Sequence, residues 1–241
     1  MDMRDDNQRD HLMRFFKTGK GQYGEGDCFL GLKVPQTRSI VKEAKLLVDF
    51  EEIEKMLYSR WHEVRLCALL LLVEEMKANL PKNKDTEAAL KVKAERREDI
   101  ARFYLKHARR ANNWDLVDLS CEYVLGVYLR LSGKEDYSIL YSLAKSTDLW
   151  EQRIAIVSTL EFIRNGIFEP TIQISELLIN HSHDLIHKAI GWMLREIGKR
   201  DKEVLLEYLE KKSGRLPRTS LRYAIERFPE TERQHWLKKQ A

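Results

Sequence analysis

The sequence predicts an all-α protein, a solenoid of antiparallel helix pairs filling residues 1–241 as a single domain. Three observations lead there. Apolar residues recur at helical spacing, as in Leu66, Leu69, Leu70 and Val73, and no run alternates long enough with the period of two that a half-buried strand requires. Helical stretches follow one another in pairs through the second half of the chain. Asp118, Arg153, Lys188 and Arg222 are separated by 35, 35 and 34 residues, each in the second turn of its helix with apolar residues at matching offsets. A two-helix unit repeated at that length describes a HEAT-like α-solenoid, in which each unit buries its apolar face by stacking on the next.

The elements can be placed in order. Residues 7–18 form a short amphipathic helix with Leu12, Phe15 and Phe16 on its apolar side. Gly19–Asp27 is a glycine-rich loop carrying Tyr23; it lacks the preceding strand and following GK[ST] of a phosphate cradle. Pro35 suits the first turn of a helix running to about Phe50. Helices follow at 51–59 and 61–79, then an interruption at Leu80–Asp85, then a helix from about Thr86 to Arg110. In that last helix Lys91, Lys93, Arg96, Arg97, Arg102, Lys106, Arg109 and Arg110 outnumber the acids, which fits either a solvated face of ion pairs or a surface for a polyanion's backbone. The remaining helices are expected at 114–130, 135–145, 149–164, 170–180, 184–198, 201–212 and 218–228, with a short tail.

Composition bounds the function. A chain of 241 residues can hold one large core or a stack of small units sharing one. Charged residues make up 33% and the formal net charge is +4, with a pI of about 8.8; clustered Lys and Arg permit a polyanionic partner that the net charge understates. Cys28, Cys67 and Cys121 are widely spaced and form no CxxC pair, which points away from a disulfide scaffold or thiolate metal site and towards a reduced, cytoplasmic interior. The N-terminus is charged and the longest apolar run, Leu66 to Val73, is far too short to span a membrane. A soluble protein without an export signal is expected.

Asn112-Asn113-Trp114-Asp115-Leu116-Val117-Asp118 is the stretch around which function is sought. Asn112 or Asn113 can cap the first turn of the helix, and Asp115 lies where the helix dipole favours negative charge. Trp114 and Asp118 are four apart and share one side of the helix. A carboxylate beyond the capping positions is costly to bury unless paired, so Asp118 either holds an arginine of a neighbouring helix or faces a site. In a solenoid, second helices lie side by side, so Arg65, Asp118, Arg153, Lys188 and Arg222 are expected to form a ladder along the concave wall. Such a column can simply tie one repeat to the next. Trp114, Trp150 and Trp192, each about a turn from a ladder residue, favour a groove for a polyanion with exposed sugars and bases. His183 and His187 are four apart but lack a third ligand pointing the same way, so no metal site is expected.

Several stretches, taken in order, are similar to one family. Asn112–Asp118, Leu149-Trp150-Glu151-Gln152-Arg153, Lys188-Ala189-Ile190-Gly191-Trp192-Met193-Leu194-Arg195-Glu196, Phe29-Leu30-Gly31 with Pro35 and Arg38, and Arg218–Glu226 together resemble the AlkD-like DNA alkylation repair glycosylases, built from HEAT-like repeats. The resemblance implies excision of N3- and N7-alkylated purines from double-stranded DNA by hydrolysis of the N-glycosidic bond, without metal or cofactor and without flipping the base into a pocket. It puts the catalytic carboxylate on Asp118, the site tryptophans on Trp114 and Trp192, and the DNA-contacting arginine on Arg153. DNA contacts are expected at Tyr23, Arg38, Arg65, Lys188 and Arg222, with the protein acting as a monomer. The chemistry agrees with the residues, since loss of a cationic base leaves an oxocarbenium-like sugar that a fixed carboxylate stabilises. A non-catalytic HEAT-repeat protein binding damaged or branched DNA through the same basic face is the alternative, and a protein-binding scaffold a third.

Overall fold

The computed structural model describes residues 3–133 and 136–239. Every named element is helical; among the described residues no strand forms, and the one β-bridge joins Cys28 to Trp61. None of these helices is long and apolar enough to cross a membrane. The chain divides into two compact units, Met1–Tyr128 and Leu129–Ala241.

The first unit starts with α1 (Asp6–Phe15), α2 (Val34–Ala44), α3 (Phe50–Leu57), α4 (His62–Ala78) and α5 (Glu87–Lys106). Its centre is α4, whose run Leu66–Val73 is buried on all sides because α2, α3 and α5 pack around it. That all-round burial explains an apolar run with no polar face. Helix α2 stops at Ala44, short of the expected Phe50, and the chain turns through Leu46 in the left-handed region at φ 63°. Asp49 caps α3 by accepting from the Glu52 amide at 2.9 Å.

Between α1 and α2 the glycine-rich segment folds back on the end of α1. The Gly24 amide donates to the Lys17 carbonyl at 3.1 Å, and a Cβ on Gly24 would lie 2.4 Å from the Phe16 carbonyl oxygen, so only glycine allows this approach. Further on, the buried Glu63 carboxylate accepts from three successive amides, Leu30, Gly31 and Leu32, at 2.9–3.1 Å. One side chain thereby satisfies backbone donors that have no ladder partner.

The continuous helix expected at 114–130 is broken. It comprises α6 (Trp114–Asp118), a π-helical turn at Glu122–Gly126, and α7 (Val127–Leu131). Ser120 is the cause at hand: its hydroxyl donates back to the Leu116 carbonyl at 2.6 Å and therefore accepts from the Tyr104 hydroxyl at 3.1 Å. Back-bonding of this kind bends helices. Asp118 consequently ends a short helix instead of occupying the second turn of a long one.

The second unit contains α8 (Ser138–Ala144), α9 (Leu149–Val157), α10 (Leu160–Arg164), α11 (Glu169–Leu178), α12 (Asp184–Gly198), α13 (Lys202–Lys212), α14 (Arg218–Ala224) and α15 (Glu230–Lys239). Helix α12 is its centre and packs on α9, α11, α13 and α14. The crossing with α14 is tight: a Cβ on Gly191 would stand 2.5 Å from both the Ser220 carbonyl oxygen and the Tyr223 Cβ. The glycine of the Lys188–Glu196 stretch is thus fixed by helix contact.

Glu63 gives the first prediction. Glu63→Ala leaves three amides without their acceptor and is expected to lower unfolding free energy by roughly 3 kcal/mol or more, since each stranded buried donor costs about 1–3 kcal/mol. Urea unfolding of the full chain measures it, and a loss under about 1 kcal/mol defeats the account.

Candidate active site

Trp114 and Asp118 line a cavity of about 380 Å³ in the first unit, whose apolar walls are Leu12, Phe15, Phe16, Phe29, Leu66 and Leu119. The rings are ordered against one another. Phe16 stacks on Trp114 with centroids 5.2 Å apart and a 26° interplanar angle, and Phe15 meets Trp114 edge-on at 5.8 Å. Phe16 and Phe29 stack in turn, 5.2 Å apart. Asn113 caps α6 by accepting from the Trp114 amide at 2.8 Å, which sets the helix start and with it the placement of Trp114. Asp118 is half-buried at the other end of that helix, among these apolar side chains.

Beneath the rings is a buried ionic network. His62, 2% exposed at its side chain, is held by two carboxylates: Nδ1 lies 2.8 Å from Asp27 Oδ2 and Nε2 lies 2.8 Å from Asp115 Oδ2. Carboxylates only accept, so both ring nitrogens donate and the ring is an imidazolium. Burial opposes that charge, but Asp115 and Asp27 outweigh it and raise the pKa from 6.5 to about 9. The other oxygen of Asp27 accepts from Arg65 Nη2 at 2.6 Å. Burial works to raise the Asp27 carboxyl, yet His62 and Arg65 hold it below its usual 3.8.

This network corrects one expectation. Arg65 does not stand on a surface facing a polyanion; its side chain is 2% exposed, bound to Asp27 and, through Nη1, to the Ser59 carbonyl at 3.0 Å. The basic α5 helix is likewise largely engaged: Lys93 pairs with Asp85, Arg96 with Glu75 and Arg102 with Glu98, while Arg97 donates to the Asn79 carbonyl. Tyr23 is half-buried in the glycine-rich loop and Arg38 is exposed on α2. Asp27, His62 and the Phe15/Phe16/Phe29 cluster are the site residues that sequence analysis missed. Their available signal was the three-residue spacing of His62 and Arg65, which puts both on one side of α4.

In the second unit, Arg153 is 5% exposed and its Nη1 donates to the Leu185 carbonyl at 2.6 Å, tying α9 to α12. Trp150, expected beside a groove, is buried. Lys188 pairs with Asp184 at 2.9 Å, and Asp184 accepts from Thr219 of α14 at 3.0 Å. Arg222 is exposed on α14, and Trp192 is half-buried on α12 beside Gly191. Of the histidines near 181–187, His181 Nδ1 accepts from the His183 amide while its Nε2 bonds the Gln152 side-chain oxygen at 2.9 Å, and His183 Nδ1 accepts from the Leu185 amide. Among the described residues no group of three His, Cys, Asp or Glu side chains is arranged to hold a metal ion. All three cysteines are free thiols, and burial pushes Cys67 up to about 11.

Residues 2–228 match the family model described as DNA alkylation repair enzyme. A solved structure described as "Predicted DNA alkylation repair enzyme from Enterococcus faecalis" is similar with a TM-score of 0.69 and 15% identity, over 95% of this chain and 99% of that chain. At that identity the likeness concerns the fold. No curated protein matches the sequence significantly.

The network also predicts a pH profile of stability. The raised His62 pKa contributes fully below 6.5 and is lost as pH rises through about 9, whereas the depressed Asp27 contributes above 3.8 and is lost as pH falls through its lower folded value. Stability from the cluster is therefore greatest between about pH 4 and 6.5. Arg65→Met, which removes one of the two cations holding the buried Asp27, is expected to cost about 3–5 kcal/mol at pH 6. Urea titrations of both proteins across pH decide; an Arg65→Met chain as stable as wild type rejects the network as a structural element.

Proposed function

Since the chain belongs to the DNA alkylation repair enzyme family, we propose that it is a glycosylase that releases N3- and N7-alkylated purines from double-stranded DNA, its paired helices serving as HEAT-like repeats. The observation that carries this proposal is the position of Asp118, which with Trp114 lines a cavity walled by aromatic rings. A carboxylate there sits in a medium of low dielectric, where it attracts a developing sugar cation more strongly than it would in water. In the proposed reaction an alkylated purine, already cationic, departs with the electrons of the glycosidic bond. Asp118 stabilises the resulting oxocarbenium-like sugar and takes a proton from the attacking water. The Trp114 face adds attraction to the same cation and keeps bulk water away. The family resemblance assigns roles in the same reaction to Trp192 and Arg153 of the second unit, where Arg153 ties α9 to α12.

Exposed basic residues supply the grip on DNA in this proposal. Arg38 and Arg222 are open to phosphate contact, whereas Arg65 is committed to Asp27. Arg222→Ala is accordingly expected to reduce the slope of log affinity against log salt by about 0.9, the value for one phosphate contact. Binding isotherms at four or more salt concentrations measure it, and an unchanged slope removes Arg222 from the interface.

The decisive experiment is on Asp118. Asp118→Asn keeps size and removes the charge, so folding and DNA binding are expected to persist while single-turnover release of 7-methylguanine or 3-methyladenine slows by about tenfold or more. Labelled methylated duplex, with affinity measured on the same substrate, gives both quantities. Wild-type release no faster than spontaneous loss, or an Asp118→Asn variant as fast as wild type, leaves a DNA-binding protein without this chemistry.

A further inference from the structure

We propose that His62 is a positioning residue for excision: clamped as an imidazolium between Asp27 and Asp115, it locks the Gly19–Asp27 loop and the first turn of α6 into one body and so sets the placement of Trp114 and Asp118. The inference rests on the glycosylase proposal above.

Two independent sets of contacts converge on this ring. The polar set is the pair of 2.8 Å bonds to Asp27 and Asp115, from two segments 88 residues apart in sequence (115 − 27). Asp115 directly follows Trp114 and lies three residues before Asp118, so whatever holds Asp115 holds the helix that carries both. The apolar set is a column of rings: Phe29 stacks on His62 at 4.4 Å, Phe16 lies 5.0 Å from His62, and Phe16 stacks on Trp114 at 5.2 Å. His62 thus reaches the Trp114 helix twice, through Asp115 and through Phe16.

The charges facing His62 are few. Asp27 comes from the loop and Asp115 from α6; on α4 itself, Arg65 binds the far oxygen of Asp27 and Glu63 is turned to the Leu30–Leu32 amides. Lys33 and Asp118 line the same cavity. His62 and Arg65 together balance Asp27 and Asp115. Removing the imidazolium proton leaves one excess negative charge in a buried cluster and only one N–H for two carboxylates, so either the loop or α6 loses its tie. The positioning function therefore has an alkaline limit, set by a pKa of about 9.

Single-turnover release of 7-methylguanine from duplex DNA by the full chain tests this between about pH 6 and 9.5, with enzyme-free controls at every pH. Wild-type excision is expected to be level to about pH 8 and to fall by about fourfold by pH 9.5, because the positioning fraction follows the imidazolium. Duplex affinity should change far less. His62→Gln, whose single amide nitrogen serves only one carboxylate well, should be at least about tenfold slower at pH 7 and lack the alkaline limb. In parallel, ¹⁵N imidazole resonances of the wild-type chain should show His62 protonated on both nitrogens through about pH 8, a readout that needs neither activity nor a folded variant. Wild-type speed in His62→Gln, an alkaline limb that survives in it, or a neutral His62 at pH 7 overturns the proposal. If wild type releases no base, the glycosylase proposal and the positioning role fall together, and a protonated ring in the resonance titration still identifies the clamp as structural.

Discussion

The imidazolium of His62 is the constraint on which the first unit depends. Asp27 and Asp115 are both buried, and a buried carboxylate without a partner is among the more costly features a protein can contain. The partner they share is one ring with a donor on each edge. Once that ring is charged, the loop that delivers Asp27 has a single place to go, and the rest of its geometry follows. Gly24 must pass against the Phe16 carbonyl, and Phe16 in turn must stack between His62 and Trp114. The neighbouring Glu63 treats the following segment similarly, with a carboxylate where a β-ladder would otherwise have satisfied three amides.

Much of the fold was legible in the sequence because the core is periodic. The spacing of Leu66, Leu69, Leu70 and Val73 identified α4, and Asp49, Asp148 and Asp201 cap helices as their type suggests. The break after Asp118 was not legible, because it turns on one hydroxyl, that of Ser120, choosing the Leu116 carbonyl over solvent. Within the candidate site Trp114 and Asp118 stood out by their four-residue spacing. Asp27 and His62 did not, since residues 35 apart in sequence meet only through a loop whose path depends on the contact itself. Arg65 shows the complementary error: a position in a repeat says nothing about which way a long side chain turns, and this one turns inward to Asp27.

In the second unit polar side chains tie neighbouring helices together. Arg153 donates to the backbone of α12, Thr219 to Asp184, and Ser220 to the His187 carbonyl at 2.8 Å. Each bond joins one second helix to the next. Stacked helices need such ties, so polar residues recur near their seams whether or not a ligand is bound. The column is mortar at Arg153, while Arg222 remains exposed. A repeated charge is thus evidence about stacking first, and about partners only where the structure leaves the side chain open.

Electrostatic neutrality in the buried cluster bears directly on the proposed chemistry. With His62 and Arg65 set against Asp27 and Asp115, the four groups add no net charge beneath the cavity, and the charge of Glu63 is directed at backbone amides. Asp118 lines the cavity above this cluster, together with Lys33. In the proposed reaction an unbalanced carboxylate in that cluster would repel the approaching DNA phosphates. In the proposed reaction Asp118, placed by helix α6, meets a cation that forms only as the glycosidic bond breaks. Stabilisation confined to that moment is what accelerates a reaction instead of merely tightening the complex.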